Sequence, residues 1–224
     1  MVEDDKRIRI ITGHYGSGKT EFALNYSIKL SEISKKVAIA DLDIVNVYFR
    51  SREKKKVLED KGIKVISSSI TSDSSDLPAL SGEISVPIID KSYDYVIDLG
   101  GNDVGAVTLS SLKPFFNKEE IDFFMVVNTN RPDTESVEKI IDEMKKLENS
   151  TGLKVTGFVN NSNLVRETTC ETIKSGEEIL KKVSEITKVD IRYTSYIKEI
   201  VEDIKVEFLG EELPMDFYMR KLWM

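Results

Sequence analysis

The sequence predicts an α/β fold, a three-layer, doubly wound, mostly parallel sheet. Three observations carry this expectation. Apolar, β-branched runs recur along the chain, helical patterns separate most of them, and a glycine-rich loop joins the first run to the first helix. At 224 residues the chain is read as one domain, with no internal repeat and no inter-domain linker.

Residues 7–12 (RIRIIT) alternate and are rich in Ile, which predicts a strand. Residues 20–31 place Phe22, Ala23, Tyr26 and Leu30 at helical spacing. Further strands are expected at 37–40, 63–66, 94–99, 121–127, 154–159 and 189–193, with helices at 133–148 and 168–187. The strands read as continuous apolar runs, as they do when helices cover both faces of a parallel sheet. Residues 67–82 (SSSITSDSSDLPALSG) form the one strongly polar, Ser-rich stretch. They are read as a solvated surface connection, with a lid or partner site as the alternative.

The loop, GHYGSGKT at residues 13–20, has the spacing of a phosphate-binding loop: Gly13, Gly18, Lys19 and Thr20. Its position between a strand and a helix is the context that such a loop needs. Backbone N–H groups of Tyr15, Gly16, Ser17, Gly18, Lys19 and Thr20 can converge on phosphate oxygens only where the backbone comes close, which glycines permit. The helix that follows turns its unpaired N–H groups and positive dipole end to the same anion. Lys19 would bring its charge to the β- and γ-phosphates, and the Thr20 hydroxyl would bind Mg²⁺. Gly13, His14 and Glu21 complete the segment expected to touch the nucleotide.

Two acidic strand ends add to this. Asp41 and Asp43 stand at i and i+2 where the second strand ends, at the crevice in which such sheets bind ligands. One would reach Mg²⁺ and the other would orient a water against the γ-phosphate; Asp43 is assigned the catalytic role together with Lys19, and is also counted with Thr20 and Asp98 as a residue at Mg²⁺. The run YVIDLGGND then ends an apolar strand in Asp98, expected at Mg²⁺. Gly100 and Gly101 follow, and the Gly101 backbone would swing to the γ-phosphate and be released on hydrolysis.

These elements together resemble the MinD/ParA group of P-loop ATPases, over roughly residues 7–204. That group belongs to a wider class that also holds signal-recognition and nickel-chaperone GTPases. GHYGSGKT is similar to the group's Gly-Lys-Gly-Gly-x-Gly-Lys-Thr loop, VAIADLDIVN to its Asp-x-Asp strand, and YDYVIDLGGNDVGA to its switch. VVNTNRPDTESV resembles the strand and Pro-acid turn after the central strand. VTGFVNNSNL resembles the strand whose terminal Asn contacts the base, here Asn160, and IRYTSYIKEIVED the final strand and helix. The resemblance implies a Mg²⁺-dependent ATPase that acts as a switch or assembly factor for a protein partner. One position departs from it: the signature lysine that reaches a partner's phosphates is His14, the only histidine. Its expected role is local packing or hydrogen bonding, so a homodimer would use a surface other than the ATP sandwich. Asn128-Thr129-Asn130-Arg131 lacks the Lys and acid of a guanine motif, which favours adenine. Two alternatives share the fold: a ligase or kinase of the cobalamin- or biotin-synthesis type, and a GTPase that delivers metal or assembles a cofactor.

The bulk composition narrows partners. A net charge of −7 argues against a nucleic-acid surface. The lone Cys170 excludes a disulfide framework or cysteine cluster within one chain. No run of about 18 apolar residues occurs, so no membrane span is expected. The N-terminus has no signal-peptide pattern, so a cytoplasmic location is the expectation. The basic run Arg50, Arg52, Lys54, Lys55 and Lys56 is read as a solvated helix face. The apolar tail after Pro214, with Arg220 and Lys221, is expected to pack on this domain or a partner rather than on lipid.

Overall fold

The computed structural model describes residues 2–42, 55–67, 82–101, 103–201 and 206–219. Asp43, Arg50, Arg52, Lys54, most of the Ser-rich stretch and residues 220–224 lie outside them. In chain order the elements are β1 (Ile8–Thr12), α1 (Lys19–Ser31), β2 (Val37–Asp41), α2 (Lys55–Glu59), β3 (Ile63–Ser67), α3 (Val86–Ile89) and β4 (Asp94–Asp98). They continue with α4 (Asp103–Leu112), β5 (Ile121–Val127), α5 (Val137–Thr151), β6 (Gly157–Asn160), α6 (Cys170–Thr187), β7 (Ile191–Ile197) and β8 (Glu211–Met215).

The strands form one eight-stranded sheet in the order β3-β2-β4-β1-β5-β6-β7-β8. Every neighbouring pair is parallel. Alternate residues of each strand feed opposite faces. Ile8 and Ile10 pack with Leu109, Ile140, Met144, Leu147 and Leu180 from α4, α5 and α6. Ile11, Val96, Phe124 and Val126 pack instead with Phe22, Tyr26, Leu30 and Leu58 from α1 and α2. Two helical layers on one sheet give the doubly wound, three-layer α/β architecture.

Helix ends follow local chemistry. The Ser136 side chain caps α5 by accepting from the Lys139 N–H, and Gly152, at φ 67°, ends it. Thr169 and Thr172 form a reciprocal capping box at the start of α6. The helix suggested after β7 is a turn at 198–200 within the described residues.

At the edge of the sheet opposite the strands' carboxyl ends, Asp5 anchors a buried polar network. Its carboxylate accepts from Tyr26 Oη at 2.7 Å, Arg192 Nε at 2.6 Å and Tyr193 Oη. Burial first, then the neighbouring Tyr26 and the Asp5 carboxylate, hold the Tyr193 hydroxyl well above the usual tyrosine range. Among the described residues no helix is long and apolar enough to cross a membrane.

Candidate functional site

The loop 13–18 runs from the end of β1 to the start of α1. Gly18 is the residue before the helix and has φ 86°, a left-handed conformation that favours glycine. A Cβ there would stand 2.3 Å from Asn161 Nδ2, so the position is closed to side chains on two counts. That Asn161 amide donates to the Ser17 carbonyl at 2.7 Å, and its oxygen accepts from Ser195 Oγ at 3.0 Å. Asn161 therefore ties the loop to the ends of β6 and β7. Gly101 closes the other side: a Cβ on it would lie 2.2 Å from the Gly13 carbonyl oxygen. At Gly101 the segment after β4 thus approaches the loop backbone to backbone.

Lys19 and Thr20 open α1, and each is 5% exposed. The first N–H groups of a helix have no partner within it. They face the same mouth as the strand ends that flank β1. Asp98 ends β4 in register with Asp41, which ends β2, and Asp98 is also paired in register with Ile11 of β1. Both carboxylates are buried, Asp98 completely. Two acids and a lysine are therefore gathered at one crevice, at the carboxyl ends of adjacent parallel strands.

His14 lies between two acids on the far side of the loop. Its Nε2 is 3.1 Å from Asp133 Oδ2 and its Nδ1 is 3.4 Å from Glu143 Oε1. Arg131, two residues before Asp133, donates from Nε to the Gly16 carbonyl at 3.2 Å. The turn between β5 and α5 thus grips the loop twice.

A cavity of about 340 Å³ opens beside the loop. Tyr15, Gly16, Gly18, Lys19, Thr20 and Arg131 line it, together with Asn163, Tyr196, Ile197, Phe217 and Met219. Its size falls in the range of small-molecule sites.

The expected residues are thus placed as follows. Gly13 to Thr20, Gly101 and Asp98 surround one mouth. Asp43 lies outside the described residues. Glu21 lines the cavity, and its carboxylate accepts from the Tyr218 N–H at 2.6 Å and the Met219 N–H at 3.0 Å, so it also holds the C-terminal segment. Asn160 needs a correction. It is fully buried and does not line the cavity, and its amide donates to the Ile173 carbonyl at 3.0 Å while its oxygen accepts from the Ser162 N–H. The base contact expected of it does not fit that position. Asn161 and Arg131 were not singled out from the sequence. The doubled Asn at the end of a strand and the cation in the Asn-Arg-Pro-Asp turn were the signals for them.

No protein-family model and no curated protein matches the chain. Solved structures do. FtsY from Mycoplasma mycoides superposes with a TM-score of 0.55 at 17% identity, over 97% of this chain and 64% of that one. FlhF complexed with GTP/Mg²⁺ gives 0.56 at 16% identity, over 92% and 72%. A nucleotide-binding protein from Archaeoglobus fulgidus in complex with ADP gives 0.50 at 18% identity, over 87% and 84%. The fold is that of a P-loop NTPase. The chain spans 64% of the length of the Mycoplasma FtsY, and these matches do not single out the MinD/ParA group.

A P-loop NTPase site must accept a polyphosphate, and the residues here fit one. Ser17 Oγ and Thr12 Oγ1, at the loop and at the end of β1, are buried with no hydrogen-bond partner among the described residues. Such groups are costly to bury unless something supplies a bond. Gly13, Gly16 and Gly18 stand where a Cβ would meet Val126, Arg131 and Asn161, so the loop backbone is packed closely against its neighbours.

Proposed function

We propose that this protein binds ATP with Mg²⁺ and hydrolyses it as a switch for a protein partner, in the manner of the MinD/ParA group. The observation that carries the reading is the loop itself. A glycine-lined backbone turn, Lys19 and the start of α1 converge beside two buried strand-end carboxylates. In this reading the loop N–H groups hold the β-phosphate and Lys19 the β- and γ-oxygens. Thr20 and Asp98 would hold Mg²⁺, which would neutralise charge developing on the transferred phosphoryl group. Asp41 is the second carboxylate at this mouth, and Asp43 retains the role of orienting the attacking water. Gly101, in contact with Gly13, would report the γ-phosphate through the segment before α4.

The nucleoside would occupy the cavity, with the base toward Tyr196, Ile197, Phe217 and Met219. Guanine is read by a carboxylate that accepts from its N1 and N2 donors. Among the described residues the one carboxylate lining this cavity is Glu21, which accepts from two backbone amides. That favours adenine. A GTPase is the second reading, and FlhF with GTP/Mg²⁺ supports it.

A competition titration with Mg²⁺ present separates the two. ATP should displace a fluorescent nucleotide at least tenfold more effectively than GTP, and the protein should release phosphate from ATP. Tenfold tighter GTP binding would assign the protein to the GTPases.

A further inference from the structure

The nucleotide reading leaves Arg131 unused, and its surroundings are specific. It sits in the turn between β5 and α5, and that turn is held at many points. The Arg131 N–H donates to the Asn128 carbonyl at 3.2 Å, and its own carbonyl accepts from the Thr134 N–H at 3.0 Å. Thr134 Oγ1 donates to the Asn128 carbonyl at 2.7 Å. Asn128 Oδ1 accepts from the N–H groups of Asn130 and Asn163, at 3.0 and 3.1 Å. The backbone at Arg131 is therefore fixed before any ligand arrives.

The side chain is also directed. Its Nε donates to the Gly16 carbonyl, and a Cβ on Gly16 would stand 3.4 Å from the guanidinium carbon. The guanidinium lies against the loop and lines the same cavity as Lys19. Among the described residues, its two terminal nitrogens have neither a hydrogen bond nor an ion pair. The acid two residues away, Asp133, is taken by His14.

We propose that Arg131 is a polyphosphate-binding residue, supplying from within the same chain a second fixed cation beside Lys19. His14 cannot do this, because its two ring nitrogens face Asp133 and Glu143. A guanidinium suits the task. It stays charged at every working pH, and its planar fork matches phosphate oxygens two at a time. One nitrogen holds the loop and the other two meet the anion. This rests on the nucleotide-binding reading above and adds to it a specific cation.

The test is calorimetry of the full chain with adenosine, ADP and ATP, using wild type, Arg131→Gln and Arg131→Lys. A charged hydrogen bond of this kind corresponds to roughly ten- to a hundredfold in affinity. Arg131→Gln should weaken ADP and ATP by that factor and leave adenosine unchanged. Arg131→Lys should recover part of the loss, since charge returns without the fork. Affinity for ATP should fall less steeply with added salt in Arg131→Gln than in wild type, because one cation fewer meets the anion. An equal loss for adenosine and ATP would assign Arg131 to loop structure and overturn the proposal. So would ATP affinity unchanged in both variants while wild type binds. A wild-type protein that binds no nucleotide overturns the nucleotide reading, and this one with it.

Discussion

Glu120 shows how one residue away from the site contributes to the fold on which the site stands. Arg7, just before β1, donates to the carbonyls of Pro87, Ile88 and Tyr93 and to Glu120 Oε2 at 3.0 Å. Lys91 reaches Glu120 Oε1 at 2.6 Å. Hydrogen bonds from Lys91 and then Arg7 hold the Glu120 carboxyl down at about 2. In the unfolded chain it titrates at about 4.5. The charged form is therefore worth more to the folded state: its contribution is complete above the unfolded value and is lost as pH falls through about 2. Glu120→Gln should lower the Tm at neutral pH, with the gap to wild type closing between about pH 4.5 and 2. A gap that stays constant over that window, followed by circular dichroism, would contradict the assignment. At this scale the sequence was legible where a motif fixes spacing, as at Gly18, Lys19 and Thr20. It was not legible between Asn160 and Asn161. Two adjacent asparagines differ only in which way the end of β6 turns them, and nothing in their chemistry says which one meets Ser17.

Among the elements, the segment after β8 bears most directly on the cavity. Asn25 and Asp216 exchange two hydrogen bonds, at 3.0 and 2.8 Å, and the Glu21 carboxylate takes the next amides. Because α1 also carries Lys19 and Thr20, the segment that walls the cavity is fastened to the helix that would hold the phosphates. Glu21→Ala should release it. Amide exchange at 218–219 should quicken by on the order of tenfold, about one hydrogen bond's worth, while α5 stays protected. Unchanged exchange in that peptide would show that the segment is held by other contacts. The strand before it, β8, escaped the sequence reading because Pro214 interrupts it, and proline fits a strand only at an edge such as this one, beside β7. The helix α4 escaped it for a different reason. Gly105 weakens the helical signal, yet a Cβ there would come 2.2 Å from the Gly100 carbonyl, so the close approach requires glycine. The central strands were legible because burial on both faces demands unbroken apolar runs, and β5 has the bounds expected of it, 121–127.

For the molecule as a whole, the order of strands does the positioning. Placing β1 between β4 and β5 sets the loop between two strand-end carboxylates on one side and the cavity on the other. The parallel α/β sheet was predictable from the alternation of strands and helices. The cavity was not, because it joins residues from five separate segments that only the fold brings together. His14, occupied by Asp133 and Glu143, offers no cation to a second copy across the loop. ATP is therefore not expected to drive a face-to-face dimer, and light scattering should give the same mass with and without it. A doubling that depends on ATP would contradict this. The central claim, that residues 13–20 form a nucleotide site, is tested most directly by titrating MgATP into wild type and Lys19→Ala in a calorimeter. Lys19 supplies charge and donors to the same phosphate oxygens, so the account predicts saturable binding to wild type and no detectable heat of binding with Lys19→Ala. Equal affinity for the two proteins would contradict it.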